Sequence, residues 1–219
     1  CVPCLLASCD HDVHDGEEEG GLSVSLTWAD EADEGTEVED VKLWIFDADK
    51  GSMIEEKHYG STEEVASQRF QLPEGTYRIQ TFSNLTEPFF ISEQTRALTN
   101  WNNILIGLTN PKDVKNNAYF GVTDVKIDNK EGNYVVQTPK KKVLAELTII
   151  IENIPKGTEM SGKALDCAMC LFPTQKNSDG DYGLPSIEPT EVELPTLLAT
   201  ESTLKSEVIR LMPTIQGSP

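Results

Sequence analysis

Two cysteines are spaced closely enough to suggest chemistry. Cys167 and Cys170 form a Cys-x-x-Cys arrangement, the spacing of redox dithiols and of zinc sites. In an extended strand, residues three apart are separated by ~10 Å and point to opposite faces, whereas a disulfide allows ~7 Å between Cα atoms. The sequence offers no second ligand pair for tetrahedral zinc. It therefore predicts two buried, apolar cysteines and no metal site.

Two acidic loops have the oxygen-rich composition of calcium sites. Asn177, Asp179 and Asp181 alternate in one loop, and Asp47 begins the other. Calcium takes six or more oxygen ligands, and the helix-loop-helix type of site has glycine at its sixth position, where this chain has Tyr182. Hairpin turns explain both loops better, with a weak ion site as the alternative.

The three histidines give little support to catalysis. His58 lies in a polar segment with no serine or cysteine nucleophile motif, and His11 and His14 lie among aspartates. Those two could bind a transition metal, but nothing in their segment fixes ligand geometry. The sequence has no Gly-x-Ser-x-Gly, His-Glu-x-x-His or phosphate-binding glycine loop. We therefore expect a protein that is not an enzyme and that uses no cofactor.

Cys9 is placed for a different reaction, the acylation of its thiol. An apolar run ends in Leu6-Ala7-Ser8, and strongly acidic residues follow Cys9 directly. Signal peptidases accept small residues at the end of a short apolar run. A cysteine directly after such a site resembles the lipobox of bacterial lipoproteins; a small buried turn is the alternative. We interpret residues 1–8 as a signal-peptide remnant, Cys9 as the lipidated residue and 9–21 as an acidic tether.

The composition limits the classes of partner. The 219 residues carry 37 acidic and 18 basic side chains, a formal net charge of −19, and 38% of them are hydrophobic. A chain with this apolar content can form ordinary cores. Its negative field repels phosphate backbones, so we expect no nucleic-acid partner.

Alternating apolar residues predict the elements that carry these positions. Leu22, Val24, Leu26 and Trp28 share one face of a half-buried strand, which we expect to be antiparallel. Residues 41–46 are apolar on both faces, which indicates a central strand, and 47–51 form a turn. Similar patterns predict further strands at 53–59, 76–82, 104–108, 119–127, 132–137, 143–151, 165–172, 192–198 and 204–212. The one helix suggested is short, at 93–99.

These elements predict an all-β fold of two tandem antiparallel β-sandwich domains. A proline and three lysines at 138–142 suggest a linker. We therefore place an N-terminal sandwich at 22–138 and a C-terminal one at 139–219. The second has four or five predicted strands, fewer than the about seven of a closed sandwich, so it is truncated or has an open edge.

Several segments in order resemble one family of bacterial surface proteins. They are Cys9 after Leu-Ala-Ser, the acidic tether, and the sequences at 22–28, 41–47, 75–84, 119–124 and 210–214. Together they resemble the transthyretin-like, Greek-key fimbrial anchor and minor-subunit lipoproteins of the type V pili of Bacteroidales. The resemblance implies an outer-membrane, cell-surface lipoprotein that acts in fimbria assembly and adhesion. It also implies fimbrial subunits as partners, joined by addition of a strand to an open sheet.

A surface glycan-binding lipoprotein of a polysaccharide-uptake system is the alternative function. Such proteins stack sugar rings on exposed aromatic side chains. Trp28 and Trp44 lie on apolar strand faces and are expected in the core. Trp101, among asparagines, is the candidate glycan platform.

Overall fold

The computed structural model describes residues 21–92, 100–111 and 114–213. Cys9, His11, His14 and the helix predicted at 93–99 lie outside the described residues. Within them the chain is almost entirely β-structure, as predicted. Helix α1, Thr62–Ala66, begins after Ser61, whose side-chain oxygen accepts a hydrogen bond from the Glu64 amide at 3.2 Å and caps it.

The strands before residue 143 are mostly long. They are β1 Gly21–Trp28, β2 Val41–Asp47, β3 Met53–Tyr59, β4 Gly75–Ser83, β5 Phe89–Ile91, β6 Ile106–Leu108, β7 Tyr119–Ile127 and β8 Asn133–Lys142. Those that follow are mostly short. They are β9 Ala145–Leu147, β10 Ile150–Glu152, β11 Glu159–Met160, β12 Lys163–Ala168, β13 Cys170–Lys176, β14 Tyr182–Pro185, β15 Pro189–Glu193, β16 Leu197–Leu198, β17 Thr203–Lys205 and β18 Ile209–Leu211.

A six-stranded sheet in the order β1-β8-β7-β4-β2-β3 is the largest unit. Strand β2 is buried on both faces, because it alternates Leu43 and Ile45 with Trp44 and Phe46, and all four are at most 2% exposed. Its predicted central position is confirmed. The turn predicted after it is also confirmed, since the Gly51 amide donates to the carbonyl of Asp47 at 2.8 Å.

Each face of this sheet covers its own hydrophobic cluster. The first cluster lies between it and the four-stranded sheet β14-β13-β6-β5, and contains Trp44, Phe46, Phe82, Phe89, Ile106, Phe120 and Leu171 among others. The second cluster lies on the opposite face and contains Leu22, Val24, Leu43, Ile45, Val65, Phe70, Ile79 and Ile127 among others. The sheets thus pack as a β-sandwich with α1 on its outer side.

The alternation led us to expect that strand β1 would be antiparallel to its neighbour, and this expectation was wrong. It pairs with β8 in parallel over eight residues, from Gly21 opposite Asn133 to Trp28 opposite Lys140. Alternation reports only that one face is buried, and it is the same for both directions of pairing. The long connection between β1 and β8 permits parallel pairing, and the direction depends on contacts that local sequence does not reveal.

The linker predicted at 138–142 is wrong, because these residues form the second half of β8. Thr138 is fully buried and Lys140 is 4% exposed, so the basic run is not a solvated connection. In addition, β13 pairs with β6, with Leu171 opposite Ile106, which joins strands from both sides of the proposed boundary in one sheet. Where two domains would divide stays a prediction.

The single strand predicted at 143–151 is also wrong. Val143 and Leu144 are buried, but the chain then forms β9 and β10, which lie largely on the surface. The sheets here have two strands each, in the pairs β10-β17, β11-β16, β12-β15 and β9-β18. A small third cluster of Cys167, Val192 and Leu211 holds part of this region together.

Candidate functional site

The Cys-x-x-Cys pair is divided between two strands. Cys167 is the second-last residue of β12 and is 1% exposed. Cys170 is the first residue of β13 and is half-buried, and both thiols are free. Burial raises the pKa of both thiols, which keeps them protonated and unreactive at neutral pH. The predicted burial of Cys167 is confirmed, and Cys170 is only partly buried.

The two acidic loops close on themselves. The Asn177 side-chain oxygen accepts hydrogen bonds from the amides of Asp179 and Asp181 at 3.0 and 2.9 Å. The Asp47 carboxylate accepts from the Lys50 amide and, at 2.8 Å, from the Lys50 ammonium. No group of three or more metal-binding side chains occurs in the ranges that the structure covers. These oxygens act in turn formation.

Trp101 lies beneath an arginine. The Arg78 guanidinium is 3.9 Å from the centre of the indole ring, and it also donates to both Asp124 oxygens at 2.7 and 2.8 Å and to the Tyr182 hydroxyl at 3.0 Å. The ring packs partly buried against the first cluster. A sugar could stack on this face only after Arg78 moved, and glycan binding at Trp101 stays a prediction.

This group, which we name the Arg78 cluster (Arg78, Trp101, Asp124 and Tyr182), fastens the two sheets together. Arg78 and Asp124 belong to the six-stranded sheet. Tyr182 belongs to the four-stranded one, and Trp101 lies between β5 and β6 of that sheet. The Arg78 side chain is 11% exposed, so its charge is largely desolvated and depends on Asp124. Sequence reasoning missed the cluster, because its members are distant along the chain.

The cluster predicts a pH-dependent loss of stability. Hydrogen bonds from Arg78 hold the pKa of Asp124 below its usual 3.8, so their stabilisation is present above that pH and is lost as the pH falls through the lower, folded-state value. Asp124→Asn should lower the unfolding free energy on the order of 1 kcal/mol at neutral pH, since Asp124 is 43% exposed. In urea titrations, the difference in unfolding free energy between Asp124→Asn and the unaltered protein should shrink as the pH falls below 3.8. A gap that is constant with pH would contradict the assignment.

The other two tryptophans and His58 are held by packing or by an ion-pair contact. Trp44 is 2% exposed in the first cluster, as predicted, while Trp28 is partly buried against Tyr119 and Lys140. His58 contacts the Asp40 carboxylate at the surface. None of these brings a nucleophile next to a base.

An apolar groove lies among the short strands of the C-terminal half. We define the β15–β18 groove by its walls, residues 192–197 and 206–211, with a cavity of about 240 Å³ between them. Val192 and Leu211, from the third cluster, form its floor, and Val208 lies at its opening, 46% exposed. The sequence suggested either an open edge or a truncated domain in this half and placed no edge.

Each wall of the groove contains a strand that pairs with one other strand. β15 pairs only with β12 and β18 only with β9 among the strands of the described chain. An unused strand edge presents backbone donors and acceptors that another strand can satisfy. The groove therefore brings two strands with one partner each next to apolar side-chain sites, and strand addition uses both features.

The rim of the groove is acidic. Arg210 is its one basic lining residue, and it donates to Asn117 at 2.9 Å and pairs with Glu146 at 3.1 Å. Glu193 and Glu207 are the other charged lining residues. On a chain of net charge −19, this rim favours a basic or neutral partner.

Exposed apolar side chains are concentrated in the same half of the chain. Within the described ranges, seven of the ten large apolar residues that are strongly exposed follow residue 143: Leu147, Ile150, Leu165, Met169, Ile187, Leu198 and Val208. Such concentrations are typical of interaction surfaces. No helix of the described chain is long and apolar enough to span a membrane.

The described chain thus combines an all-β sandwich with an apolar groove among its short strands. The family model of the fimbrillin-A associated anchor proteins Mfa1 and Mfa2 matches residues 9–205. The chain belongs to this family. Its members are fimbrial structural proteins of the cell envelope, so the family and the fimbrial or adhesive role predicted from the sequence are confirmed.

Solved structures show the same fold at low sequence identity. The fimbrial anchor protein Mfa2 from Porphyromonas gingivalis aligns with a TM-score of 0.65 and 15% identity, over 90% of this chain and 74% of that one. A candidate adhesin from Bacteroides ovatus aligns at 0.60 and 13%, over 99% and 75%. A candidate polysaccharide-binding protein from Bacteroides thetaiotaomicron aligns at 0.59 and 12%, over 91% and 74%. No curated protein sequence gives a significant match.

Proposed function

We propose that this chain is a fimbrial anchor or accessory subunit, fixed to the outer membrane through a lipid on Cys9. It joins a fimbrial subunit by accepting one strand in the β15–β18 groove. The observation that carries this proposal is the groove itself, where β15 and β18, each paired with one strand, line an apolar floor. Membership of the anchor family supports the class of partner.

The groove limits the kind of strand that would fit. β15 has five residues and β18 three, so an added segment would pair over about three to five residues, a span of ~10–17 Å. Its alternate side chains would enter the floor between Val192 and Leu211, and they should be apolar. Glu207 on the rim favours lysine or arginine at the neighbouring position.

A charge placed at the groove opening tests the proposal. Val208→Glu should weaken binding of a fimbrial subunit at least about tenfold, because each bound strand would bury a carboxylate against an acidic rim. Ile54→Glu is the matched control, since Ile54 is 44% exposed against 46% for Val208 and lies on β3, outside the groove. Affinity would be measured by surface plasmon resonance with purified subunits.

The same variants can be compared on cells. Immunoprecipitation through this protein should recover fimbrial subunits from the unaltered strain and from Ile54→Glu, and fewer from Val208→Glu. Equal recovery of fimbrial subunits from both variants would show that the binding site lies outside the groove. Recovery of no fimbrial subunit, with fibres still attached in a deletion strain, would overturn the anchor function itself.

A further inference from the structure

We propose that the parallel pair β1–β8 is a mechanical clamp that resists tension between the tether and the C-terminal half. This inference rests on the proposed anchor function, because an anchor on a fibre carries force from its membrane attachment to its partner. Three observations carry it: the direction of the pairing, the positions of the two strand ends, and the side chains that close the pair.

The two ends of the clamp lie at opposite ends of the strand pair. At the start, the Gly21 amide donates to the Gly132 carbonyl at 2.9 Å, and Gly21 is the last residue of the predicted tether. At the finish, Lys142 pairs with Glu146 at 3.1 Å and Lys141 with Asp181 at 3.4 Å. The tether therefore meets β1 about 25 Å, the length of eight strand residues, from the end that contacts the C-terminal half.

The path from this second end to the groove is short. β8 leads through two buried residues, Val143 and Leu144, into β9, and β9 pairs with β18, which forms one wall of the β15–β18 groove. Arg210 on β18 is also bound to Glu146 on β9. A pull from the groove therefore reaches β8 at its C-terminal end.

Under that tension the two strands are pulled past each other. The tether draws β1 toward its own N-terminus, while the C-terminal half draws β8 toward its C-terminus. Because the strands run parallel, these forces are opposed along the strand axis. The hydrogen bonds of a parallel ladder are evenly spaced, so all of them bear force together and β1 cannot peel away one bond at a time. An antiparallel partner loaded from the same two termini would be peeled apart instead.

Side chains along β1 add to this resistance. Leu22 and Val24 are fully buried in the second cluster and must leave it if β1 slides. At the far end, the Lys140 ammonium lies 3.5 Å from the centre of the Trp28 ring, whose edge meets the Tyr119 ring at 5.0 Å. These contacts are short-ranged, so sliding by one residue breaks them all.

Single-molecule force measurements on the full, non-acylated chain test the clamp. One handle is attached at the N-terminus and the other at Glu201, an exposed residue between β16 and β17. In the control the first handle moves to Glu34, an exposed residue beyond the other end of β1. We expect the unfolding force to be at least about twofold higher from the N-terminus than from Glu34 at equal loading rate, since forced unfolding reports the unfolding barrier.

A variant checks that the ladder causes the difference. The amides of Gly21 and Ala29 both donate hydrogen bonds toward β8. Because alternate residues of a strand point their amides to the same side, the Ser25 amide, four residues from each, also points to β8. Ser25→Pro removes that donor and should reduce the force from the N-terminus while leaving the force from Glu34 within error. If this variant does not fold, the comparison of unfolding forces from the N-terminus and from Glu34 on the unaltered chain still tests the clamp.

The outcomes separate the clamp from the anchor function. Equal forces in the two geometries, or a higher force from Glu34, would overturn the clamp and leave the anchor proposal standing. The pulling experiment needs neither membrane nor partner, so loss of lipid attachment or of subunit binding would be seen in other assays and would not alter its result.

Discussion

Cys9→Ala is expected to release the protein from the membrane. A single acyl chain gives only marginal attachment at ~0.8 kcal/mol per buried methylene, so stable attachment takes several chains, which lipobox cysteines carry. A net charge of −19 gives no attraction to an anionic surface. The membrane-bound fraction should therefore fall at least about tenfold when the thiol is removed.

Detergent phase partition and labelling with radioactive palmitate would measure this. Unaltered protein should enter the detergent phase and carry label, and Cys9→Ala should do neither. Cys4→Ala is the control, because Cys4 lies inside the predicted signal-peptide remnant and should leave both results unchanged. A labelled, detergent-soluble Cys9→Ala protein would contradict the lipid anchor.

Phe82→Ala is expected to have the largest effect on stability. Phe82 is fully buried on central strand β4, and its ring meets the edge of Trp44 at 5.0 Å in the first cluster. Loss of the ring leaves a cavity between the two sheets and should cost about 3–5 kcal/mol. For a chain of this size that is a fall of very roughly 6–20 °C in the unfolding temperature.

Phe90→Ala is the matched control. Phe90 is 42% exposed on β5, on the outer side of the four-stranded sheet, so the same change should cost less than about 1 kcal/mol. Calorimetry should also show a single transition that moves as a whole in Phe82→Ala, because strands from both halves cover the first cluster. A second transition whose temperature is unchanged by the substitution would instead support two independent domains.

Taken together, the groove, the clamp and the predicted lipid lie in series along the molecule. The lipid would hold Cys9, the tether leads to Gly21, and β1 transfers the pull to β8 over eight register pairs. From β8 the path continues through β9 to β18 and the groove. The Arg78 cluster and the first cluster keep the two sheets joined while force passes. In the proposed anchor, this arrangement would carry force from the membrane to the partner subunit.

Local pattern was sufficient for much of the fold. Alternation places the strand at 22–28, apolar character on both faces marks β2 as central, and the Asp47 turn joins it to β3. These features depend on neighbours within a few residues, so the chain reveals them directly. The same strand segments carry the family resemblance, which is therefore a property of the local sequence as well.

Pairing over long distances was not visible. The parallel direction of β1, the continuation of β8 through 138–142 and the sharing of one sheet by β6 and β13 all depend on contacts across the chain. The same alternation and the same basic run are compatible with a linker or with a strand, and only packing against β1 and β7 selects the strand.

The functional surfaces divide in the same way. The sequence by itself determined the acidic charge, and it is the source of the prediction that Cys9 is lipidated, because a short motif specifies that reaction. Tertiary structure alone decided that Arg78 covers Trp101, that β15 and β18 line one groove, and that β1 pairs with β8 in parallel. The reason is physical. The chemistry of a side chain is set locally, whereas access to Trp101, the walls of the groove and the direction of force depend on elements that are distant in sequence and adjacent in space.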